Sequence, residues 1–306
     1  MSLNVNILFS TYNGEKYIRE QLDSLGRQTY KNNKIIVRDD GSIDNTLSIL
    51  NAYDIEMMPK GENLGSKESF SALLEYSLKN SDSNYFMFCD QDDTWKEDKI
   101  EKTLKRMKEL ESKFGDIPLL VHTDLEVVDE DLQTIDKSFW HFEQIDPNMN
   151  AFNRLLMQNT ITGCTVMINR KLAELAKPIP YDAIMHDWWL GLVASQFGKI
   201  GFVDETTIKY RQHAGNSIGA KGFNYFSVFL KFYKNELYLK HLHVNIKQAK
   251  AFVERYRTDL DEGTVEVLED FVYIESKSFW QKRKILLKHK LLKQGTIRNI
   301  GLFLKI

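Results

Sequence analysis

The chain has 306 residues, of which 42% are hydrophobic and 27% are charged, a composition typical of one large globular domain or one domain with an appendage. The formal net charge of -2 argues against a general nucleic-acid-binding protein. The two cysteines, Cys89 and Cys164, lie in apolar stretches, so we expect buried free thiols rather than a disulfide-stabilised secreted fold.

The first half of the chain alternates predicted strands and predicted helices. Short apolar runs indicate strands, and apolar residues that recur on one face indicate helices. The predicted strands are residues 5–9, 34–37 and 85–89, and the predicted helices are residues 15–28, a segment ending at Leu50, residues 66–78 and residues 96–110. This order predicts an α/β fold with a mainly parallel sheet and helices on both faces.

The pattern changes in the second half of the chain. Further strands are predicted at residues 118–122 and 161–169, around Val203 and at residues 208–211, and a helical pattern follows from Lys221 to the end. Three glycines within residues 215–222 indicate the best candidate for a domain boundary. We therefore predict an α/β domain over residues 1–220 and a helical extension over residues 221–306.

The predicted strand at residues 85–89 leads directly into a cluster of acids. Three carboxylates stand within the four positions 90–93. Carboxylates this close repel one another, and a hard divalent cation such as Mg²⁺ or Mn²⁺ would offset their charge through oxygen ligands. The alternative is that Asp93 and Thr94 only cap the helix that follows.

Two other polar clusters also follow predicted strands. Residues 10–13 follow the first strand, and Asp39 and Asp40 follow the second. In open α/β sheets, ligands bind beyond the carboxyl ends of the strands. We therefore expect these two clusters and the acidic segment to converge on one edge of the sheet.

These motifs together resemble those of family 2 glycosyltransferases, and within that family the bacterial rhamnosyltransferase-like members. The resemblance covers about residues 4–218. It rests on five motifs in chain order: Ser10-Thr11-Tyr12-Asn13, Asp39-Asp40-Gly41-Ser42-Ile43-Asp44-Asn45-Thr46, Asp90-Gln91-Asp92-Asp93, His186-Asp187-Trp188-Trp189 and Tyr210-Arg211-Gln212-His213-Ala214-Gly215-Asn216. The resemblance implies the GT-A fold, a Rossmann-like fold of nucleotide-diphospho-sugar transferases.

The resemblance also implies roles at the nucleotide end of the site. Asp39 would accept a hydrogen bond from the N3–H of a pyrimidine base, Tyr12 would stack on the base, and Asp90 would contact the ribose or waters of the metal. The nucleotide-binding candidates are Ser10, Thr11, Tyr12, Asn13, Glu15, Asp39, Asp90 and Gln91. The alternative for residues 39–42 is a simple turn that caps a helix.

The implied cofactor is Mn²⁺ or Mg²⁺, because a metal ion stabilises the negative charge that develops on the leaving pyrophosphate. Asp92 would be the main ligand, and His213 would be an additional ligand or a phosphate contact. A single histidine is also compatible with a structural role.

Asp187 matches the position of the catalytic base in the family, which takes the proton of the acceptor hydroxyl. The usual pair is Glu-Asp, and His186 replaces the first acid here, so it stays open whether His186 orients Asp187 or contacts the acceptor. A simple N-cap is the alternative role of Asp187. The candidates for acceptor or sugar contact are Asp93, Asp124, His186, Trp188 and Trp189.

The C-terminal segment, residues 277–305, has basic residues and no acidic ones, interleaved with aliphatic and aromatic side chains. This pattern suits an anionic membrane surface, and the alternatives are a helix packed on the catalytic domain or an oligomer contact. The first residues lack the basic and long apolar regions typical of a signal peptide, and no apolar run approaches the roughly 20 residues that span a bilayer. We expect a cytoplasmic protein, peripheral at the inner face of the plasma membrane if this segment docks there.

The resemblance thus implies an inverting, metal-dependent glycosyltransferase. Its expected donor is dTDP-rhamnose or a UDP-hexose, and its expected acceptor is a hydroxyl of a surface polysaccharide, a glycolipid or another glycan. The competing hypothesis is a non-catalytic nucleotide-sugar-binding or scaffold protein on the same fold. The presence of both the acidic motif and Asp187 argues against that hypothesis. A nucleotidyltransferase is disfavoured because the sequence lacks a glycine-rich signature with a Lys or Arg.

Overall fold

A computed structural model describes residues 4–213 and 235–306 of the chain. The strands are β1 (Val5–Thr11), β2 (Asn33–Asp39), β3 (Glu56–Met57), β4 (Tyr85–Cys89), β5 (Thr94–Trp95), β6 (Leu119–Val128), β7 (Thr134–Asp136), β8 (Met167–Asn169) and β9 (Lys199–Arg211). The helices are α1 (Ile18–Gly26), α2 (Thr46–Leu50), α3 (Ser66–Asn80), α4 (Lys99–Phe114), α5 (Phe139–Glu143), α6 (Phe152–Leu155), α7 (Arg170–Ala176), α8 (His186–Phe197), α9 (Asn235–Tyr256), α10 (Glu262–Val272), α11 (Phe279–Lys288) and α12 (Thr296–Lys305).

The strands of the described residues form one sheet in the order β3-β2-β1-β4-β8-β6-β9-β5, with β7 paired to β6. The predicted α/β fold is confirmed: most of the paired register is parallel, although the sheet also contains antiparallel pairs. The pairs among β1 to β4, and the pair of β6 with β9, are parallel, whereas β8 runs antiparallel between β4 and β6. The βα units therefore account for the first half of the sheet only.

Each face of the sheet has its own hydrophobic core, because successive side chains of a strand point to opposite faces. In β1, Leu8 packs into the core that contains α3, α7 and α8, whereas Ile7 and Phe9 pack into the core that contains α1 and α4. The strand is buried on both sides, which explains why it reads as a continuous apolar run. The predicted helices on both faces are confirmed.

The acidic segment differs from its predicted local structure. The helix that follows it begins at Lys99 with Asp98 as its N-cap residue, not at residue 96. Thr94 belongs to the short strand β5, which pairs with β9. The alternative that Asp93 or Thr94 caps this helix is therefore wrong, and these residues join the acidic loop to the far edge of the sheet.

The predicted strand at residues 161–169 is shorter in the structure. A 3-10 turn occupies Gly163–Thr165, and only the three residues of β8 pair with neighbouring strands. In contrast, the two short strands predicted around Val203 and at residues 208–211 are one continuous strand, β9.

The C-terminal helices pack on the sheet domain. Phe252 of α9 contacts Trp189 of α8, with ring centroids 5.5 Å apart, and both belong to the hydrophobic core on that face. The glycine-rich boundary at residues 215–222 lies outside the described residues, and the division after residue 220 stays a prediction. No helix among residues 4–213 and 235–306 has the length and apolarity to cross a membrane.

Candidate active site

The polar clusters that follow β1, β2 and β4 meet at one edge of the sheet. Thr11 at the end of β1 is in register with Asp39 at the end of β2, and Phe9 is in register with Cys89 at the end of β4. The central position of β1 therefore places the acidic loop beside residues 10–13. The expected convergence follows directly from the order of these three parallel strands.

Gln91 fastens the acidic loop to the loop after β1. Its Oε1 accepts hydrogen bonds from Thr11 Oγ1 at 2.7 Å and from the Tyr12 backbone N at 2.8 Å, and its Nε2 donates to the Tyr12 carbonyl at 3.0 Å. Gln91 and Thr11 were predicted to bind nucleotide. In the structure they bond to each other and connect the acidic loop to the end of β1. The Tyr12 ring is 48% exposed at the mouth of the site, where a base can stack.

The loop after β1 is also bound to the loop after β2. Asn13 has a left-handed conformation with φ of 48°, its backbone N donates to Ser42 Oγ, and its Oδ1 accepts from the Ile43 backbone N. Glu15 Oε2 accepts from both nitrogens of Asn45. Asn13 and Glu15, predicted to bind nucleotide, therefore have evident positioning roles, and the two loops form one rigid rim.

Asp39 has the turn role that the sequence offered as one alternative, and its bonding leaves room for the other. Its carboxylate accepts hydrogen bonds from the backbone nitrogens of Gly41 and Ser42 and from the Ser42 hydroxyl, as in an Asx turn. A carboxylate has about four lone-pair sites, so one of them remains for an N3–H donor.

Arg38 and Asp40 form a buried ion pair that sequence reasoning did not identify. Asp40 also accepts hydrogen bonds from the backbone nitrogens of Leu64 and Gly65, which lead into α3. Ser10, another nucleotide-binding candidate, shares a hydrogen bond with Ser69 in the first turns of α3. The pair therefore connects the loop before α3 to the rim. The only signal for it in the sequence was an arginine directly after the apolar residues 35–37.

Burial and neighbouring carboxylates raise the pKa of two acids of the site, Asp90 and Asp93. Burial and the nearby charges of Asp92 and Asp187 raise the pKa of Asp90, and burial with the charges of Asp92 and Asp90 raises that of Asp93. This is the like-charge clustering that the sequence predicted, and a bound cation would relieve it. Because the charge of Asp187 raises the pKa of Asp90, the predicted base lies close to the acidic motif.

Arg211 anchors the acidic loop from β9. Its Nε donates to the Asp92 carbonyl at 2.9 Å, its backbone N donates to Asp93 Oδ1 at 3.2 Å, and its guanidinium bonds Glu20 and the Glu130 carbonyl. The motif around residue 210 was recognised from the sequence, but this structural role was not. Arg211 is therefore a positioning residue behind the acids.

Asp92 and His213, the two predicted metal ligands, lie next to each other. Asp92 Oδ2 lies 2.8 Å from His213 Nε2, and the His213 ring packs at 4.8 Å from the Tyr17 ring. A carboxylate and an imidazole are both ligands of Mn²⁺-type ions, so these residues fit such a cation.

A second possible ligand group comprises Asp90, Asp93 and Cys164, whose donor atoms lie within 4.8 Å of one another. Burial raises the pKa of the Cys164 thiol well above its usual value, so the sulfur stays protonated. A neutral thiol is a poor ligand for a hard cation. The donor chemistry therefore favours Asp92 with His213 over the group that contains Cys164.

Asp187 lies in the first turn of α8, and the N-cap residue of that helix is Met185. The N-cap alternative for Asp187 is therefore wrong. Its Oδ1 accepts from the Trp188 backbone N at 2.7 Å and its Oδ2 from Asn159 Nδ2 at 3.3 Å. Burial raises its pKa to about 6. Asn159, which no sequence signal revealed, orients the carboxylate.

His186 lies in the hydrophobic core and not at the acceptor side. Its ring packs 4.3 Å from the ring of Phe70 and 4.9 Å from that of Phe88, and neither nitrogen has a hydrogen-bond partner among the described residues. Burial lowers its pKa to about 3, so the ring is neutral. The histidine that replaces the first acid of the usual pair thus neither orients Asp187 nor contacts the acceptor.

Three other acceptor candidates are also structural. Trp189 is fully buried, and its Nε1 donates to the Ala176 carbonyl. Asp124 is buried and accepts from the Ser138 hydroxyl and from the Trp140 backbone N at the start of α5. Asp93 is fully buried, and its Oδ1 accepts a hydrogen bond from the Arg211 backbone N. Trp188 remains a candidate because its ring is only partly buried, with Nε1 bonded to the Leu155 carbonyl.

The family model described as glycosyl transferase family 2 matches residues 7–173 of the chain. The dTDP-rhamnosyl transferase RfbG of Shigella flexneri is 27% identical over 294 residues, which are 90% of this chain and 94% of that protein. TuaG of Bacillus subtilis, a glycosyltransferase proposed to act in teichuronic acid biosynthesis, is 30% identical over 224 residues, 71% of this chain and 81% of its own. Glycosyltransferase RT0329 of Rickettsia typhi is 29% identical over 215 residues, 68% of this chain but only 64% of that protein.

Solved structures support the same architecture. The crystal structure of Staphylococcus aureus TarS 1-349 in complex with UDP-GlcNAc has a TM-score of 0.55 at 16% identity and covers 94% of this chain and 80% of that chain. The mannosyltransferase PcManGT of Pyrobaculum calidifontis, in complex with GDP-Man and Mn²⁺, has a TM-score of 0.53 at 14% identity and covers 99% of this chain and 79% of that one. At these identities the two structures show the shared fold.

Proposed function

We propose that this chain, which belongs to glycosyl transferase family 2 and has the GT-A fold, is an inverting, metal-dependent glycosyltransferase that extends a surface polysaccharide or a glycolipid. The observation that carries the proposal is the proximity of Asp187, in the first turn of α8, to the acidic loop, where its charge raises the pKa of Asp90. A non-catalytic binding protein would need the acids but not a buried base beside them.

The donor is held at the rim of the loops after β1 and β2. The exposed Tyr12 ring stacks on a pyrimidine, and the remaining lone pair of Asp39 accepts from its N3–H. Thymine and uracil both present this donor, so the rim suits dTDP and UDP sugars alike. The match to RfbG over nearly its whole length favours dTDP-rhamnose, with a UDP-hexose as the second candidate.

Asp92 and His213 would hold Mn²⁺ or Mg²⁺, which supplies positive charge against the departing pyrophosphate, and Asp90 would contact the ribose or waters of the metal. Arg211 and Gln91 hold the acidic loop in place from opposite sides. Asp187, oriented by Asn159, takes the proton of the acceptor hydroxyl as that oxygen attacks the anomeric carbon. A single attack from the face opposite the leaving diphosphate inverts the anomeric centre.

The acceptor side comprises the partly buried Trp188 ring beside Asp187. Its aromatic face can pack against the C–H surface of a sugar. The acceptor that we propose is a hydroxyl of a glycan or of a lipid-linked sugar, in keeping with the activity proposed for TuaG. A lipid-linked acceptor would place the reaction at the inner face of the plasma membrane.

Thermal unfolding with nucleoside diphosphates tests the donor and metal parts together. We expect dTDP or UDP with Mn²⁺ to raise the Tm of the wild type more than either component alone, since ligands that bind the folded state stabilise it by mass action. Asp92→Asn should lose the increment that depends on the metal. The control Asp116→Asn, at an exposed acid paired with Lys171, should keep it. An equal increment in Asp92→Asn and the wild type would refute the metal assignment.

A further inference from the structure

The last two helices expose an apolar surface that the proposed reaction does not use. We call it the tail face, and it is composed of the exposed side chains of Phe279, Trp280, Leu287, Ile300 and Leu304. Trp280 is 77% exposed and Leu304 67% exposed. Soluble chains rarely group large apolar side chains in this way without a partner.

The two helices are joined where the end of α12 contacts Arg283 of α11. Arg283 of α11 donates hydrogen bonds to the Phe303 and Ile306 carbonyls at the end of α12. The Arg283 guanidinium also lies 3.3 Å from the ring centre of Phe279, which fixes that ring on the outer side. Ile300 and Leu304 are four residues apart and therefore share one face of α12.

The inner sides of the same helices are already packed. Ile285 and Leu286 of α11 and Leu302 of α12 are buried in the core that also contains Trp189 and Phe252. The apolar residues of the tail face are therefore additional to those that hold the helices on the domain. Packing on the catalytic domain explains the apolar residues on the inner side of each helix but not those that are exposed.

The charge around the tail face favours an anionic partner. Residues 277–306 contain seven lysines, two arginines and no Asp or Glu. Some of these cations have structural partners, since Lys288 pairs with Glu266 and Asp270, and Arg298 donates to the carbonyls of α5. Lys284 and Lys290 are exposed beside the apolar residues. Exposed aliphatic and aromatic residues bordered by lysines are typical of helices that lie in the membrane interface.

We propose that the tail face docks on an anionic lipid bilayer. Trp280, Ile300 and Leu304 enter the boundary between headgroups and acyl chains, and Lys284 and Lys290 contact lipid phosphates. This docking is independent of the transfer reaction, so a failure of one proposal leaves the other standing. It would hold the catalytic site next to a membrane without a spanning helix.

The exposed position of Trp280 allows a direct test. Of the five tryptophans, Trp95, Trp140 and Trp189 are buried, Trp188 is partly buried, and Trp280 is exposed. With phosphatidylglycerol vesicles at low salt, we expect the emission of the full chain to shift to the blue and its quenching by acrylamide to fall. Trp280→Phe should keep vesicle binding in sedimentation but lose both optical changes. Phosphatidylcholine vesicles should bind much less, and added salt should release the protein.

Matched substitutions separate the tail face from general surface effects. Ile300 and Ile135 are 49% and 51% exposed, and Ile135 lies on β7. We expect Ile300→Ser to weaken sedimentation with phosphatidylglycerol vesicles several-fold and Ile135→Ser to leave it unchanged. Lys284→Gln should weaken it about fivefold, whereas Lys105→Gln on α4 should not. Changes at these exposed sites are expected to leave folding and transfer to a soluble acceptor intact.

Three outcomes would overturn the proposal. In the first, the wild type does not sediment with phosphatidylglycerol vesicles at low salt. In the second, Ile300→Ser and Ile135→Ser sediment with these vesicles equally. In the third, light scattering without lipid shows a dimer that Trp280→Ser or Leu304→Ser dissociates, which assigns the tail face to a second copy of the chain.

Discussion

Asp187 and His186 are adjacent in the sequence and have opposite environments in the structure. Asp187 faces the acids of the site, where burial raises its pKa to about 6. His186 points into the aromatic pocket of Phe70 and Phe88. Gly163 permits this, because a Cβ there would lie 2.7 Å from His186 Nε2. A substitution at either residue therefore tests a different property.

Asp187→Asn is expected to lower kcat by on the order of 10²-fold or more and to leave nucleotide binding unchanged, because an amide cannot take the acceptor proton. Steady-state kinetics with a nucleotide sugar, and the affinity for the diphosphate, measure the two effects. Asp116→Asn serves as the control at an exposed acid. Reduced affinity with normal kcat would instead make Asp187 a binding residue.

The pH dependence of turnover follows from the same carboxyl. The base form of Asp187 prevails above its pKa of about 6, so kcat should rise with pH through that value and then level off. The residual activity of Asp187→Asn should lack this rise. A profile that is equally steep in the variant would assign the ionisation to another group.

His186→Leu is expected to make the fold less sensitive to acid. The pKa of buried His186 is about 3 and that of an unfolded histidine about 6.5, so between these values only the unfolded chain binds the proton. The stability that neutral His186 supports is present above pH 6.5 and is lost as the pH falls towards 3. Between pH 7.5 and pH 5 the variant should lose about 2 kcal/mol less unfolding free energy than the wild type.

Urea unfolding at the two pH values measures this difference. The exposed His141→Leu should behave as the wild type does. An unchanged acid sensitivity in His186→Leu would mean that the ring is accessible to protons in the folded state. Transfer activity should largely survive in this variant, because His186 has no contact with the site.

At the scale of elements, three loops make the site rigid before any ligand binds. Gln91 joins the loops after β1 and β4, Asn13 joins those after β1 and β2, and Asp40 joins the β2 loop to the start of α3. Loops that are held in this way lose little entropy on binding, so more of the contact energy appears as affinity.

Gly14→Ala is the substitution that should disturb this rim. A Cβ at Gly14 would lie 2.4 Å from Gln91 Oε1, so the Gln91 side chain that joins the loops after β1 and β4 must shift. We expect a loss of about 1–3 kcal/mol in unfolding free energy and weaker binding of dTDP or UDP. The control is Gly26→Ala at the end of α1, where a Cβ meets no atom within 4 Å and is expected to be neutral or slightly stabilising. Equal effects of the two substitutions would contradict the role assigned to Gln91.

For the whole molecule, the C-terminal helices complete the core on one face of the sheet. Phe252 lies between the rings of Trp189 and Phe152, and Leu268, Leu286 and Leu302 continue the same core. The sheet domain would expose this face without them. We therefore expect residues 235–306 to unfold together with the rest of the chain, although the sequence suggested a boundary after residue 220.

Phe252→Ala tests this cooperativity. Truncation of a buried phenylalanine typically costs about 3–5 kcal/mol, and the loss should appear in one unfolding transition. Tryptophan fluorescence and far-ultraviolet circular dichroism should report the same midpoint in the variant and in the wild type. Two separate transitions would support independently folding domains instead.

The sequence by itself determined the features that depend on short stretches of chain. The strand at Tyr85–Cys89 was predicted to the residue because a buried strand reads as an apolar run with a sharp polar end. The convergence of Asp39 and Asp90 followed because parallel strands align their carboxyl ends. The family was recognisable partly for the same reason, since three of its five motifs lie at those strand ends.

Only the tertiary structure decided which side chains face the site. Trp188 and Trp189 are neighbours on α8, about 100° apart, and α9 buries Trp189 from more than sixty residues away in the sequence. Asp124 lies on β6 and accepts a hydrogen bond from a backbone nitrogen in the first turn of α5. The partners of Arg211 likewise come from elements that are distant in the sequence. A local pattern contains no information on such contacts, because burial and pairing depend on which remote segments the fold brings together.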